Sequence, residues 1–337
     1  MERYVAIDNV CAWPNLTLMP DGAIVATIFN QPCHGKWEGD VECWASEDGG
    51  RLWHFRGMPA PHEPGTNRMN VAAGLATNGD LIVLASGWSK RSPKGQLPPP
   101  DAGAKVLPAW ACRSRDGGRS WEVDKTAMPA APLVDCCPLI PFGDVQVGSD
   151  GGLYAAAYAA TSQGQHTSFF LRSGDDGRTW NVRAVIGAND YNETAILHLG
   201  EGCWLAAART AKQEYLELFC SDDEGVTWRR DQTLSLPHQI PAHLLRLQDG
   251  RLLLVYGVRC PQHYGVCARL SRDGGTTWSR PVMLVQYPDV DGGYPASVQT
   301  TDGQIVTAFY SAFQPAHHRY HMGVVIWEPS EFAGGKW

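Results

Sequence analysis

The sequence lacks a long apolar run, an excess of basic residues and any Cys-x-x-Cys pair. Its 337 residues contain no uninterrupted apolar stretch that approaches the roughly 20 residues needed to span a bilayer. Lys and Arg number 28 against 35 Asp and Glu, which gives a net charge of −7. Because nucleic-acid phosphates are bound mainly by basic side chains, we expect neither a nucleic acid nor a membrane as partner.

The first residues also lack the charged and apolar segments of a secretion signal. We therefore expect a cytoplasmic protein, or a secreted one if a leader was trimmed, with its ten cysteines reduced and buried.

No phosphate-binding glycine loop follows a predicted strand. His317, His318 and His321 form a tempting cluster, but their spacing does not place them on one face of a strand. We expect no cofactor and no metal.

Glycine, proline and tryptophan are abundant, with 36, 23 and 13 copies, which is typical of a turn-rich β protein. The motif Ser-x-Asp-x-Gly-x-x-Trp occurs five times. Each copy predicts a hairpin turn, because the Asp accepts backbone hydrogen bonds, the Gly permits a positive φ and the Trp packs between sheets. The copies begin at Ser46, Ser114, Ser173, Ser221 and Ser271.

A second pattern, a turn glycine followed by a strongly apolar strand, occurs six times at intervals of 48 to 72 residues. The turn glycines are Gly22, Gly79, Gly151, Gly202, Gly250 and Gly303. Each unit is long enough for a four-stranded antiparallel sheet, and a radial arrangement buries the faces of all six. We therefore predict an all-β, six-bladed β-propeller that forms one domain over residues 1–337. The sixth unit lacks the Ser-x-Asp motif, so the strand near Tyr4–Ile7 is predicted to close the ring.

The innermost strands of a propeller converge on its axis, so their first residues should line a central funnel. Positions nine and seven residues before each turn glycine share a face of their strand. Polar side chains at these positions are the best site candidates: Asn15, Asn70, Asp144, Glu193, His243 and Tyr294.

The five motifs resemble the Asp-boxes, or BNR repeats, of the sialidase superfamily, and the resemblance extends from about Asn15 to Tyr310. It implies peripheral, structural boxes and a functional site on the axis. The box itself does not determine the chemistry, because it occurs in sialidases, in other glycan-active enzymes and in proteins without sialidase activity.

Several residues resemble functional residues of sialidases. Tyr294 is similar to the tyrosine that attacks the anomeric carbon, and Glu193 to the glutamate that takes its proton. This pairing is chemically sensible, since tyrosine titrates near pH 10 and needs an adjacent base near neutrality. Arg209 resembles the second arginine of the triad that binds the sugar carboxylate. Asp40 lies where the family places its general acid; His34 and Glu38 share that loop and compete for the role.

The sequence also departs from the sialidase pattern. The first arginine of the triad is absent, and Trp13 or Asn15 stands in its place. Arg259 is offset from the position of the third arginine, where His263 is an alternative, and Arg68 is a candidate substitute from the second blade. A sialic-acid substrate therefore does not follow from the resemblance.

Three functions remain open. The leading one is an exo-acting, metal-independent glycoside hydrolase that removes a terminal, acidic sugar from a glycan. The second is a uronate-linked glycan lyase or an α-L-rhamnosidase with His34 or His243 as acid/base, and the third is a non-catalytic sugar-binding propeller. The inserted segment Pro93–Lys105 is predicted to be a lid or an oligomer contact, and a homo-oligomer is possible.

Overall fold

The structure is a computed structural model that describes residues 1–96, 103–129, 135–313, 317 and 319–332. His318 and the middle of the inserted segment, residues 97–102, lie outside the described residues. In the described part of the chain, twenty-four β-strands are followed by a short 3₁₀ turn over Pro329–Phe332. Among these residues, no helix has the length and apolar character needed to cross a bilayer.

After the first strand, the chain forms five successive groups of four strands and a last group of three. The first strand and the first two groups are β1 (Glu2–Asp8), β2 (Cys11–Leu18), β3 (Ile24–Phe29), β4 (Val41–Ser46), β5 (His54–Ala60), β6 (Asn70–Leu75), β7 (Leu81–Trp88), β8 (Val106–Ser114) and β9 (Glu122–Asp124). The third and fourth groups are β10 (Ile140–Val147), β11 (Leu153–Ala160), β12 (His166–Ser173), β13 (Asn181–Gly187), β14 (Tyr191–Gly200), β15 (Cys203–Thr210), β16 (Leu216–Ser221) and β17 (Arg229–Thr233). The last two are β18 (Gln239–Arg246), β19 (Leu252–Val258), β20 (Gly265–Ser271), β21 (Val282–Gln286), β22 (Gly292–Gln299), β23 (Ile305–Ser311) and β24 (His321–Trp327).

Each group is an antiparallel sheet in which consecutive strands are neighbours. A short parallel pairing of β6 with β10, from Ala72↔Gly143 to Gly74↔Val145, joins the second and third sheets. The innermost strands β2, β6, β10, β14, β18 and β22 contact one another in that order, and β22 contacts β2. These contacts close a ring of six blades, so the predicted all-β propeller is confirmed.

The amino-terminal strand completes the sixth blade, as the sequence predicts. Strand β1 pairs antiparallel with β24, from Glu2↔Ile326 to Asp8↔His321, and gives the sheet order β1-β24-β23-β22. The Tyr4 hydroxyl also donates a hydrogen bond to the Gly50 carbonyl oxygen in the first blade. The first and last parts of the chain therefore hold the ring together.

Apolar side chains fill the spaces between blades. Between the fourth and fifth blades, for example, Leu218, Leu254 and Tyr256 are buried in one cluster. Burial of each such leucine contributes about 1.5–3 kcal/mol. Five of the ten cysteines are buried as expected, whereas the other five, Cys136, Cys137, Cys203, Cys220 and Cys260, are only partly buried.

The five Ser-x-Asp motifs form the predicted turns at the ends of the third strands. In the second blade, Ser114 Oγ donates to Asp116 Oδ1 at 2.8 Å, and Asp116 Oδ1 accepts from the amides of Arg119 and Ser120 at 3.0 and 2.9 Å. Gly118 has a φ of 96°, and its carbonyl accepts a hydrogen bond from the Trp121 indole at 2.9 Å. Each box is satisfied by its own turn and therefore serves the scaffold.

Candidate functional site

The innermost strands are irregular where they approach the mouth of the funnel. Register shifts occur in β2 between Cys11 and Asn15, in β10 between Phe142 and Gln146, and in β22 between Gly293 and Ala296. Strands β14 and β18 are shifted at the same end. Bulges of this kind re-aim side chains and are common beside active sites, so these irregularities decide which side chains reach the axis.

Two aromatic residues at these bulges have unusual backbone conformations. Trp13 has a φ of 65° and Tyr294 a φ of 50°, in the left-handed region that bulky residues rarely adopt. Residues held in such conformations cluster at functional sites. Their rings pack together with a centroid separation of 5.2 Å, and Phe142 approaches Tyr294 edge-on at 6.2 Å.

Tyr294, Glu193 and Arg209 form a hydrogen-bonded group, which we call the axial trio. The Tyr294 hydroxyl donates to Glu193 Oε1 at 2.7 Å. Arg209 Nη1 donates to Glu193 Oε2 at 2.7 Å and to the Tyr294 oxygen at 3.2 Å. Glu193 and Tyr294 are only 6% and 5% exposed. The structure thus brings together three residues that come from β14, β15 and β22.

The electrostatics of the trio keep the phenol protonated at rest. Burial, and secondly the negative charge of Glu193, raise the pKa of Tyr294 well above its ordinary value. A phenolate therefore forms only as the proton moves to a neighbouring base. The Glu193 carboxylate already accepts that hydrogen bond and is the base in position to take the proton.

Two charged residues surround the trio. Arg259 lies with its guanidinium carbon 5.2 Å from the centre of the Tyr294 ring, and its Nη2 donates to the Gly292 carbonyl at 3.3 Å. Glu214 accepts from Arg209 Nη2 at 3.0 Å. Arg259 is therefore the residue beside the phenol, whereas the alternative His263 lies in an exposed turn.

His34 contacts Trp13, which packs on Tyr294, and is oriented by a half-buried carboxylate. Its Nδ1 contacts Asp291 Oδ1 at 3.0 Å, and Asp291 also accepts hydrogen bonds from the Tyr310 and Tyr320 hydroxyls. Burial raises the pKa of Asp291, but hydrogen bonds from His34, Tyr310 and Tyr320 outweigh it and hold the pKa well below its ordinary value. The His34 ring stands edge-on to Trp13 with a centroid separation of 5.6 Å.

A cleft of about 400 Å³ extends outward from this point. It is lined by Trp13, His34, Gly35, Met69, Trp88, Arg91 and Ala104. The His34 side chain is 40% exposed, so the imidazole is accessible from the cleft while its Nδ1 is held by Asp291. This cleft leads from bulk solvent to the aromatic face beside the axial trio.

The competing acids in the same loop have other partners. Asp40 Oδ1 accepts hydrogen bonds from the His62 amide and from His62 Nδ1, both at 2.7 Å, and Asp40 Oδ2 accepts from Asn30 at 3.1 Å. Glu38 accepts from the Gly65 amide and lies 4.0 Å from His62 Nε2. Both carboxylates therefore stabilise the loop, and neither contacts the axial trio.

Arg68 does not join the site, contrary to its suggested role as a substitute arginine. Its guanidinium stacks on the Trp110 ring, 3.6 Å from the centroid, and its Nη1 donates to the Pro108 carbonyl at 2.7 Å. Burial lowers the pKa of Arg68 to about 10. The side chain is 2% exposed, so a substrate does not reach it.

A second polar group lies on the axis, next to Tyr294 along the innermost strands. Asn15 Nδ2 donates to the Gly143 carbonyl at 2.8 Å and to Asp144 Oδ1 at 3.0 Å, and His243 Nε2 contacts Asp144 Oδ2 at 3.1 Å. Asn15 and His243 line a small cavity with Tyr294. Asn70 is buried at the start of β6. The group links the first, third and fifth blades beneath the phenol.

Comparison with known proteins defines the family. Residues 62–307 match the family model described as a BNR repeat-like domain. The chain belongs to the BNR repeat-like family. Among curated proteins no match is found.

Solved structures share the fold of this BNR repeat-like protein at low sequence identity. A protein of unknown function from Dyadobacter fermentans has a TM-score of 0.83 at 23% identity, with 97% of each chain covered. The Hadza microbial sialidase Hz136 has a TM-score of 0.74 at 16% identity, covering 98% of this chain and 69% of the other. Trypanosoma rangeli sialidase in complex with the inhibitor DANA has a TM-score of 0.72 at 15% identity, covering 98% and 56%.

Sequence reasoning missed several residues of the BNR propeller's site. Asp291 lies three residues before Tyr294, and Tyr310 is opposite Gly293 in the register of β22 with β23. Proximity to Tyr294 was the available signal for Asp291, and strand register for Tyr310. Glu214, five residues after Arg209, lay outside the positions counted from the turn glycines.

In the described ranges, no group of three or more His, Cys, Asp or Glu has the geometry to hold a metal ion.

Proposed function

We propose that this BNR repeat-like protein is an exo-acting glycoside hydrolase with Tyr294 as its nucleophile. The observation that carries the proposal is the 2.7 Å hydrogen bond from the Tyr294 hydroxyl to Glu193, with Arg209 bonded to both groups. A tyrosine in this role is a known alternative to the usual pair of carboxylates in glycosidases. Tyr294 is only 5% exposed, so a chain end fits the phenol better than the middle of a glycan.

In the first step, the Tyr294 oxygen bonds to the anomeric carbon while its proton passes to Glu193. The glycosidic carbon–oxygen bond breaks, and the leaving oxygen takes a proton from the His34 imidazolium. Arg209 stabilises the negative charge that develops on the Tyr294 oxygen and on Glu193. The aromatic faces of Trp13 and Phe142 exclude water from the phenol.

In the second step, His34 takes a proton from water, and the water oxygen bonds to the anomeric carbon. The bond between that carbon and the Tyr294 oxygen breaks, and Glu193 returns the proton to the phenol. Two displacements at one carbon retain its configuration. Asp291 fixes the imidazole through Nδ1 in both steps, so the other ring nitrogen is left for the substrate.

The test combines turnover with detection of the intermediate. Tyr294→Phe is expected to lower kcat on the best substrate of an aryl-glycoside and oligosaccharide panel on the order of 10³-fold. Mass spectrometry of acid-stopped wild-type reactions should show one added sugar on the peptide that contains Tyr294. Tyr154→Phe removes another buried hydroxyl, which bonds to Asp150 at 3.0 Å, and should leave kcat unchanged. Full turnover by Tyr294→Phe would remove the proposal.

A second candidate function is a uronate-linked glycan lyase or rhamnosidase, which the His34–Asp291 contact favours. In the lyase, His34 takes the proton from the carbon beside the uronate carboxylate, a carbon–carbon double bond forms and the bond to the leaving oxygen breaks. The leaving oxygen then takes a proton. This reaction yields an ultraviolet-absorbing product and tolerates Tyr294→Phe, so the same assays separate it from hydrolysis. Saturable glycan binding without cleavage would instead indicate a sugar-binding propeller.

A further inference from the structure

The third blade brings a histidine next to the axial trio. His166 begins β12 and contacts Asn192 of β14, the residue before Glu193, with 3.2 Å between His166 Nδ1 and Asn192 Nδ2. Two residues further along each strand, the Ser168 and Thr194 hydroxyls are hydrogen-bonded at 2.7 Å. These two contacts join β12 to β14 and hold the imidazole at the end of β14 where Glu193 lies.

The contact with Asn192 fixes the tautomer of the imidazole. Asn192 Oδ1 accepts a hydrogen bond from the Glu193 amide at 2.8 Å, so the Asn192 side-chain nitrogen, which only donates, faces His166. His166 Nδ1 is therefore the acceptor, and the proton of the neutral ring is on Nε2. Burial, and secondly the positive charge of Arg209, lower the pKa of His166 below its ordinary value. The ring is thus neutral at neutral pH.

The Nε2–H group of His166 is open to a ligand. In the part of the chain that the structure describes, Asn192 is the hydrogen-bond partner of the ring, and Nε2 is not fully buried. The Tyr158 ring stacks on the imidazole with a centroid separation of 5.9 Å and an interplanar angle of 27°. Because the stack and the Asn192 contact both restrict rotation of the imidazole, His166 presents one neutral donor in a fixed direction.

This donor lies close to the reacting groups. Burial, and secondly the negative charge of Glu193, raise the pKa of Tyr158 well above its ordinary value, and Tyr294 and Arg209 act on it as well. Tyr158 and His166 therefore border the axial trio from the third blade. A site that is built to bond a substrate hydroxyl rejects an analogue that lacks it. We propose that His166 Nε2 donates a hydrogen bond to one hydroxyl group of the sugar bound at Tyr294 and helps to select that sugar; this inference rests on the glycosidase function proposed above.

The experiment combines variants of His166 with deoxy sugars. Isothermal titration of wild-type protein with methyl galactoside, fucoside, rhamnoside and glucuronide identifies the tightest ligand, and its monodeoxy derivatives are the further probes. His166→Asn retains an oxygen that accepts from Asn192 and removes the donor at Nε2. It should raise Kd about tenfold for the parent glycoside and cause no further loss for the one derivative that lacks the bonded hydroxyl. His166→Gln places an amide N–H group near the Nε2 position and should restore most of the affinity.

His198→Asn is the matched control. His198 is also a half-buried histidine, its ring packs on Trp204 at 4.6 Å and its Nε2 contacts Ser149 Oγ at 2.9 Å, but it lies near the other end of β14. This variant should leave every Kd unchanged.

A second measurement needs no stable His166→Asn protein. In ¹⁵N NMR of histidine-labelled wild-type protein, with His166 assigned through His166→Gln, the parent glycoside should shift the Nε2–H signal. The derivative that lacks the bonded hydroxyl should not shift it. An Nε2–H signal that no glycoside shifts overturns the inference.

Equal Kd values for wild type and His166→Asn overturn the inference and leave the hydrolase proposal intact. An equal loss of affinity for the parent and for every deoxy derivative also overturns it, because that pattern indicates a purely structural role. The expected selective loss, observed in a protein that cleaves no glycoside, supports the contact at His166 while the hydrolase proposal fails.

Discussion

Two Tyr–Glu–Arg trios in the described part of the chain share the same side-chain chemistry and differ in their surroundings. In the peripheral trio, the Tyr191 hydroxyl donates to Glu217, and Arg230 Nε donates to Glu217 Oε2 at 2.7 Å. All three come from strands of the fourth blade, and the Arg230 side chain is 55% exposed. This trio braces one sheet from within.

The axial trio instead joins two blades that are distant in sequence, since Glu193 and Arg209 belong to the fourth and Tyr294 to the sixth. Its phenol is beside Trp13, and Trp13 is beside His34, which opens to the cleft. The difference shows that the three residue types alone do not make a site. Convergence on the axis and a histidine that opens to an accessible cleft distinguish the axial group.

The largest expected effect comes from replacing the glutamate of each trio by glutamine, in two separate variants. Glu193→Gln removes the group that takes the Tyr294 proton, so kcat should fall by about 10²–10⁴-fold. Glu217→Gln makes the same chemical change in the peripheral trio and should leave kcat at the wild-type level. Steady-state kinetics on the best substrate of the panel measures both. Equal losses of kcat in the two variants would show that the axial glutamate has no catalytic role that the peripheral glutamate lacks.

The scaffold and the members of the axial trio were predictable from sequence, whereas the peripheral trio was not. The motif around Asp116 recurs with fixed spacing because one turn satisfies all of its own hydrogen bonds, so the scaffold is encoded locally. Counting back from Gly202 and Gly303 placed Glu193 and Tyr294 on innermost strands. Their meeting follows from ring closure, which the repeat pattern also predicts.

The remainder of the site was not predictable, because it depends on bulges and on loops that carry no repeat. Tyr294 has a positive φ at the register shift between Gly293 and Ala296. The residue types at these positions do not predict that shift. His34 and Asp40 occupy one loop and look equivalent in the sequence. Only their partners, Asp291 and His62, separate the residue that faces the cleft from the one that braces the loop.

The next largest effect is expected at His34, the proton donor of the proposed mechanism. His34→Asn should lower kcat about 10²-fold on substrates with a poor leaving group. The loss should shrink with nitrophenyl glycosides, because their leaving oxygen departs without a proton. Asp40→Asn is the control from the same loop and should show no such dependence. A leaving-group dependence in Asp40→Asn, with His34→Asn near wild type, would return the acid role to Asp40.

The smallest expected effect tests whether the peripheral trio is purely structural. Glu217 is only 2% exposed, and Arg230 supplies its positive partner. Breaking a fully buried ion pair costs about 3–5 kcal/mol, but the exposure of Arg230 allows water to compensate in part. Arg230→Gln should therefore lower the free energy of unfolding by about 1–2 kcal/mol, measured by urea denaturation, with kcat and KM unchanged. A loss of kcat without a loss of stability would mean that the peripheral trio also takes part in function, and the contrast between the two trios would no longer hold.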